Sequence, residues 1–337
     1  MAKGFLYNLK MNKKTALRLF AFAFALMFSL PALSGCNFGD DISGASDDGG
    51  ISVVASAFPV YDTVKRVVPE NVRVTLLLSP GAEPHDYEPT PSDIRKVGEC
   101  DLFVYVGGES DAWADTLLGS FDGEVSCLTL MDCVEKLEEE TVEGAEAHED
   151  HDGSETAYDE HIWTSPANVV LMAQSIAGAL SEIDGAGEAE YRANAAAYAA
   201  ELEELDGEFK AAVSRLGIKT LLFGDRFPFL YFTKHYGLNY YAAFAGCSHD
   251  TEPSLKTMTF LTDRIREENI QVVFYTELSN HSVADTLAAE TGAFTAMLHS
   301  CSNVTAAEFE NGETYLSLMR KNLKTLEEAF SGAADQL

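Results

Sequence analysis

Short apolar runs alternate with amphipathic segments along most of the chain. Apolar runs of four to eight residues between turn signals are typical of buried strands. Strands that alternate with helices indicate parallel sheets covered by helices. The pattern predicts two sets of strands, at Ile51–Ala57, Val72–Leu78, Asp101–Val106 and Ser126–Leu130, then at Lys219–Phe223, Asn239–Phe244, Gln271–Tyr275 and Phe294–Leu298.

A long helical pattern separates the two sets. Apolar residues recur there at spacings of four and three, as expected for one face of a helix: Tyr191, Ala195, Tyr198, Leu202, Leu205, Phe209, Ala212 and Leu216. We therefore expect an α/β protein with two lobes of mainly parallel sheet, 51–188 and 217–337, joined by one long rigid helix at 189–216. A free-standing coiled coil is the alternative for this helix, but globular sequence flanks it on both sides.

The amino terminus predicts export. Four basic residues between Lys10 and Arg18 precede an apolar run at Leu19–Leu30, and this order is typical of a secretory signal peptide. The following Leu-Ser-Gly-Cys36 resembles a bacterial lipobox, so Cys36 is the predicted lipidation site and first mature residue. Residues 1–35 would be removed, and the polar residues 36–50 would form a flexible tether to the lipid bilayer. The alternative is a plain signal peptide with an incidental cysteine.

Charge excludes one large class of function. The formal net charge is −31, and removal of residues 1–35, with five basic and no acidic residues, makes it −36. Nucleic-acid binding needs basic surface, so no nucleic-acid partner is expected. A strongly acidic surface favours solubility and attracts cations.

Two loops carry the candidate chemistry. His85 follows an apolar strand in Ser79-Pro-Gly-Ala-Glu-Pro-His85, and His161 precedes a helix that starts near Ser165-Pro166. Open α/β sheets bind ligands beyond the carboxyl ends of their strands. Neutral imidazole suits zinc and related metals, so the two histidines are candidate ligands of a transition metal.

With these motifs the chain resembles the substrate-binding receptors of bacterial zinc and manganese ABC importers. The resemblance covers Ile51 to about Phe330 and rests on Pro84–Asp93, on Asp159-Glu-His161-Ile-Trp163, on the long helix, and on Tyr231-Phe232 through Tyr236-Gly237-Leu238. It implies a metal site between two lobes, a stiff connecting helix that limits closure, and one ligand from each of four segments. His85 and His161 match the two positions of the amino lobe.

The carboxyl lobe departs from the pattern of this family. The third family position falls on Arg226, which cannot bind a cation, and the fourth falls near Ser302, a poor ligand. Asp225 and His299 are the nearest good donors, and we predict them as the remaining ligands. The alternatives are that Asp225 pairs only with Arg226 and that His299 is a surface residue; Cys301, Glu277 or water are the other candidates for these positions.

An acidic segment, Glu135–Glu160, directly precedes His161 and contains twelve Asp/Glu with His148 and His151. Such aromatic-poor sequence is expected to be disordered. It is either a low-affinity collector of metal or a solvated loop without a role. Together with imidazole ligation it favours Zn²⁺ over Mn²⁺.

Five cysteines remain after Cys36, an odd number, at positions 100, 127, 133, 247 and 301. A disulfide between Cys247 and Cys301, thiolate ligation and free thiols are all compatible with the sequence.

These features together predict a monomeric, extracytoplasmic, lipid-anchored zinc receptor that delivers Zn²⁺ to an ABC permease and is not an enzyme. The alternatives are a manganese receptor of the same family, a metallo-hydrolase or a surface adhesin. No hydrolase motif of the His-Glu-x-x-His or Gly-x-Ser-x-Gly type occurs in the sequence.

Overall fold

The computed structural model describes residues 50–121, 123, 125–140, 143–145, 157–246, 248 and 252–331. They contain two four-stranded parallel sheets with the strand orders β2-β1-β3-β4 and β6-β5-β7-β8. The strands are β1 Ser52–Ala55, β2 Arg73–Leu76, β3 Leu102–Tyr105, β4 Cys127–Thr129, β5 Thr220–Phe223, β6 Asn239–Ala242, β7 Val272–Tyr275 and β8 Phe294–Met297. The predicted fold class is confirmed, and each strand is one to three residues shorter than its apolar run.

Helices lie between the strands and cover the sheets, as parallel connections require. Their bounds are α1 Phe58–Val67, α2 Pro91–Glu99, α3 Ala112–Leu118, α4 Pro166–Ile183, α5 Glu188–Leu216, α6 Leu230–Tyr236, α7 Leu255–Glu267, α8 Ser282–Thr291, α9 Ala306–Glu310 and α10 Tyr315–Phe330. The sequence pattern did not predict α9, whose five residues are too few to show a helical period.

The long helix α5 has 29 residues, which corresponds to a length of about 43 Å. Seven of the eight apolar residues that predicted it are buried, and Leu216 is half-buried. The helix ends at Gly217, whose φ of 63° is the left-handed conformation that glycine adopts without steric cost. One continuous core contains side chains of α5 and of both sheets, so the helix is packed against both lobes.

Sheet topology determines where the loops meet. The strand order reverses between β1 and β3 in the amino lobe and between β5 and β7 in the carboxyl lobe. A crevice opens beyond the carboxyl ends of strands at such a point, which is where ligands bind in open α/β sheets. The loops that follow β3 and β7 therefore start at these two crevices.

The acidic segment is ordered at both of its ends, which the structure describes, in contrast to the sequence prediction. An isolated antiparallel bridge joins Glu138 to Tyr158, and the Asp159 amide donates to the Leu137 carbonyl at 3.0 Å. Tyr231 of the carboxyl lobe holds both ends of this bridge, because its hydroxyl accepts from the Leu137 amide and donates to the Asp159 carbonyl. Amino-acid composition does not predict this ordered structure, because Tyr231, which stabilises it, is distant in sequence.

Several predictions fall on positions outside the described residues: the signal peptide and tether, Cys36, His148, His151 and Cys247. Cys100, Cys127, Cys133 and Cys301 are free thiols. Among the described helices, none is both long enough and apolar enough to cross a membrane.

Candidate metal site

The two histidine loops meet at the amino lobe. His85 lies in a single 3-10 turn, Pro84–Asp86, and the next helix, α2, is capped by Thr90, whose side chain forms a capping box with Asp93. His161 lies directly before a second 3-10 turn and helix α4. The two imidazole rings are 5.7 Å apart between centroids, and both side chains are largely buried.

Ser110 connects His85 to a buried carboxylate. The Ser110 hydroxyl donates to Oε1 of Glu160, and the Ser110 amide donates to Oε2 at 3.0 Å. His85 Nδ1 lies 2.6 Å from the same hydroxyl oxygen. Because the hydroxyl has only one proton, and Glu160 accepts it, Nδ1 of His85 is the donor to Ser110. This tautomer places the imidazole lone pair on Nε2, the nitrogen opposite Ser110.

His161 is oriented in the same way, but directly. Its Nδ1 is 3.3 Å from Oδ1 of Asp159, and its amide donates to the same oxygen at 2.8 Å. Burial acts to lower the pKa of His161, but the charge and hydrogen bond of Asp159, together with Glu160 and Glu139, outweigh it and raise this pKa. Carboxylates that hold the distal nitrogen of a histidine fix its orientation and increase its basicity as a metal ligand.

Glu160 is ionised although it is buried. Desolvation acts to raise its pKa, but the hydrogen bond from His85, the charges of both histidines and the Ser110 hydroxyl lower it to about 2. The carboxylate fits against the backbone because Gly108 has φ +87° and no side chain. A Cβ atom at Gly108 would lie 2.6 Å from Oε2 of Glu160. The glycine is therefore required for this arrangement.

The donor atoms of His85, Glu160 and His161 lie within 4.8 Å of one another. Both histidines line a pocket between the lobes, and the carboxyl-lobe side of this pocket includes Arg226, Glu277, Ser300 and Ser302. Imidazole and carboxylate at such spacing are the usual ligand types of zinc. The arrangement can therefore hold a divalent cation.

The structure places Asp225 beside the pocket rather than in this group. Its Oδ2 accepts the amide and the hydroxyl of Thr276, both at 2.8 Å, and its Oδ1 accepts the Arg226 amide at 2.8 Å. Arg226, at the third family position, forms an ion pair with Glu83 at 3.3 Å, and these two residues come from different lobes.

His299 is buried, not at the surface, with 2% of its side chain exposed. Its Nδ1 accepts the Cys301 amide at 2.9 Å, and its Nε2 lies 3.7 Å from Oε1 of Glu308. Its Nε2 has no hydrogen-bond partner among the described residues. Cys301 is also buried, and burial raises the pKa of its thiol well above the ordinary range. The thiol is thus protonated at neutral pH.

Sequence reasoning did not identify Ser110 or Glu160. The acidic composition of Glu135–Glu160 predicts a solvated Glu160, although this residue adjoins His161 in the motif. The Gly107-Gly108 pair, one residue beyond the end of β3, was the available signal, since paired glycines at the carboxyl edge of a sheet indicate a close approach of other groups to the backbone. Ser110 has no local signal, because its partners are 25 and 50 residues away.

The fold and the site define a class of protein, the two-lobed receptors for a metal ion. Comparison with known proteins agrees with this class. Residues 53–329 match the family described as "ZnuA: Zinc-uptake complex component A periplasmic". The chain belongs to this family, whose members are solute-binding components and act outside the cytoplasm.

Two relatives illustrate the extent of the similarity. The zinc-binding protein AdcA of Streptococcus pyogenes is 31% identical over 289 residues, which are 83% of this chain and 56% of the relative. The chain thus spans about half the length of the AdcA relatives. The high-affinity zinc uptake system protein ZnuA of Bacillus subtilis is 31% identical over 311 residues, 91% of this chain and 96% of the relative.

Solved structures share the fold. The Zn(II)-bound ZnuA-like domain of Streptococcus pneumoniae AdcA superposes with a TM-score of 0.69 at 29% identity, covering 84% of this chain and 99% of that domain. The laminin-binding protein Lmb of Streptococcus agalactiae, described as an adhesin with metal-transporting activity, has a TM-score of 0.72 at 26% identity, covering 83% of this chain and all of that one.

Proposed function

We propose that this protein is the extracytoplasmic receptor of a zinc importer: it captures Zn²⁺ between its lobes and delivers the ion to an ABC permease. The observation that carries the proposal is the convergence of His85, Glu160 and His161 within 4.8 Å at the mouth of the amino lobe. Membership of the zinc-uptake family and the names of the relatives support the same ion.

His85 and His161 are the principal ligands in this proposal, each through Nε2. Their Nδ1 atoms are engaged by Ser110 and Asp159, which fixes both rings before metal arrives. A site that is already oriented loses little side-chain entropy on binding, and this favours tight capture of a dilute ion.

The direct test is calorimetric titration of the mature chain with Zn²⁺ against a competing chelator. We expect about one tight equivalent, and loss of affinity by orders of magnitude in His85→Ala and in His161→Ala, since zinc then lacks one of its usual four ligands. His281→Ala is the matched control, because this histidine is half-exposed and its Nδ1 pairs with Asp285 of helix α8. Unchanged titrations in both site variants would refute the assignment.

The same titration tests the two carboxyl-lobe residues that the sequence predicts. Asp225→Ala and His299→Ala should each weaken Zn²⁺ binding less than His85→Ala does, if they complete the coordination. A crystal structure with bound metal would test the same point through the Zn–O and Zn–N distances, which should lie at about 2.0–2.2 Å.

Manganese is the second candidate ion, because carboxylates are hard ligands that suit Mn²⁺ and Glu160 contributes one to the group. Parallel titrations with Zn²⁺ and Mn²⁺ separate the two. Tighter binding of Mn²⁺ would reverse the proposed selectivity and leave the receptor function in place.

Delivery requires that the receptor stays near its permease. We propose that Cys36 is diacylated after cleavage between Gly35 and Cys36, since two acyl chains give stable anchoring whereas one gives marginal binding. The relative in Streptococcus pneumoniae that is named a zinc-binding lipoprotein, 30% identical over 283 residues, supports this proposal.

A further inference from the structure

The positions at which the family resemblance implies carboxyl-lobe ligands fall on Arg226 and near Ser302, and neither residue is a good ligand for a cation. Arg226 is a cation and contacts Glu83. The pocket nevertheless contains a carboxyl-lobe carboxylate, that of Glu277, which follows β7 by two residues and has 4% of its side chain exposed. We infer that Glu277 is the carboxyl-lobe ligand of the bound metal; this inference rests on the proposed function.

Glu277 is held by Ser300. Its Oε2 accepts the Ser300 amide and its Oε1 accepts the Ser300 hydroxyl, both at 2.7 Å. A carboxylate has about four acceptor sites, so these two bonds orient the group and leave each oxygen able to bind a cation. Hydrogen bonds of this kind are the usual support of a carboxylate that ligates a metal.

Ser300 in turn belongs to a loop that is attached to the amino lobe. Its carbonyl accepts the indole N–H of Trp163 at 2.9 Å, and Trp163 packs edge-on against the ring of His161. Ser300 is therefore fixed relative to one of the two histidines, although it lies 139 residues further along the chain.

Asn303 attaches the same loop at a second point. It is fully buried, and its amide group donates to the carbonyls of Ser79 and Ala82 at 2.9 and 2.8 Å. The Gly81 amide completes the contact by donating to the Val304 carbonyl at 2.7 Å. Ser79 to Ala82 is the segment that leads into His85. The loop therefore connects the support of Glu277 to both histidine loops.

The backbone of this loop turns sharply at Cys301, which has φ 62°, a conformation uncommon for a residue other than glycine. As a result the Cys301 side chain lies in the core, while Ser300 and Ser302 on either side line the pocket. The two serine hydroxyls lie 2.7 Å apart. This turn is the local feature that directs Ser300 toward Glu277.

With Glu277 as the ligand, the buried His299 has a supporting role and does not bind the metal. His299 lies behind Glu277, with Nδ1 3.5 Å from Oε1, and its Nδ1 already accepts the Cys301 amide. His299 is thus placed to stabilise the loop that contains Ser300 and Cys301. Its removal should weaken metal binding less than removal of the Glu277 charge.

The test compares Glu277→Gln with Glu83→Gln, a matched change in the same pocket whose carboxylate pairs with Arg226. We expect Glu277→Gln to lower Zn²⁺ affinity more than about 100-fold, beyond the roughly 10–100-fold that is typical for the loss of a supporting group. Glu83→Gln should change it less than tenfold. The Co²⁺-loaded protein gives a second readout, because loss of a ligand alters the absorption bands of the metal.

The outcomes separate this inference from the proposed function. If Glu277→Gln binds Zn²⁺ like the unaltered protein while His85→Ala does not, Glu277 is not a ligand and the receptor function stands. If His85→Ala and His161→Ala also bind normally, the proposed site itself fails. Should Glu277→Gln not fold, Glu277→Asp retains the charge on a shorter side chain and is expected to weaken binding and change the Co²⁺ spectrum; an unchanged spectrum would overturn the inference.

Discussion

Ser110→Ala tests the arrangement of the site most directly, because it removes one oxygen atom and no candidate ligand. The Ser110 hydroxyl donates to Glu160 and accepts from Nδ1 of His85. Without it, Glu160 keeps the Ser110 amide and its longer, 3.4 Å contact with Nδ1 of His85, and the ring of His85 loses its partner at 2.6 Å. His85 can then rotate or adopt the other tautomer, which moves the lone pair away from Nε2.

The expected effect follows from the role of such groups. Loss of a group that orients a metal ligand costs about 10–100-fold in affinity, which corresponds to roughly 1.4–2.8 kcal/mol. Ser110→Ala also removes one hydrogen-bond partner from each of two largely buried groups, Glu160 and His85. The free energy of unfolding of the metal-free protein should therefore fall by about 1–3 kcal/mol. Zinc should therefore stabilise the variant less than it stabilises the unaltered protein.

Two measurements on the same sample check this prediction: chelator-competition calorimetry with Zn²⁺, and thermal unfolding with and without the ion. Ser120→Ala is the control, because its hydroxyl donates at 2.6 Å to a carbonyl within the last turn of α3 and has no contact with the histidines. Ser110→Thr, which retains a hydroxyl, should recover part of the affinity. A zinc affinity of Ser110→Ala within twofold of the unaltered protein would refute the role that we assign to Ser110.

Three further predictions concern other parts of the molecule. Cys36→Ser should release the protein from membranes or leave its precursor uncleaved, as shown by detergent partitioning and mass; normal processing and membrane retention would contradict the lipobox. Deletion of residues 144–154, which contain His148 and His151, should remove only weak additional Zn²⁺ equivalents in the titration, whereas loss of the tight step would show that this segment contributes to the site. Asp62→Asn should stabilise the protein at pH 7, because burial raises the pKa of Asp62 to about 6, against the lowering effects of the Tyr315 amide and of Arg66. The folded-state pKa lies above the unfolded value, so the contribution of Asp62 to the free energy of unfolding should be highest below about pH 4 and fall by about 3 kcal/mol as pH rises through about 6. Chemical denaturation of the Asn variant should show no such decline.

Much of the fold could be predicted from the order of residues, because the signals are local. The apolar runs predicted the strands, and the spacing of Tyr191, Tyr198, Leu205 and Phe209 predicted the long helix, since a period of 3.6 leaves a clear stripe over 29 residues. Thr90 and Pro91 predicted where α2 begins, because capping involves residues three apart. The two histidine motifs were recognisable for the same reason.

The carboxyl-lobe half of the site could not be predicted with equal ease. The predictions of Asp225 and His299 as ligands rest on their distance along the chain from family positions, and both remain predictions. Whether a side chain faces the pocket depends on contacts that are remote in sequence, such as those of Asn303 with Ser79 and Ala82, more than 200 residues away. Glu277 is present in the sequence, but its orientation depends on the hydrogen bonds that Ser300 donates to it, and the sequence does not show these.

The sequence by itself determined the fold class, the helix that joins the lobes and the two histidines, because each depends on periodicity or on a short motif. Tertiary structure alone decided that Glu160 is a buried, ionised partner of His85 and not a solvated acid. It also decided that His299 lies in the core. The physical reason is that desolvation and hydrogen bonding depend on which distant groups surround a side chain, and composition does not record those neighbours.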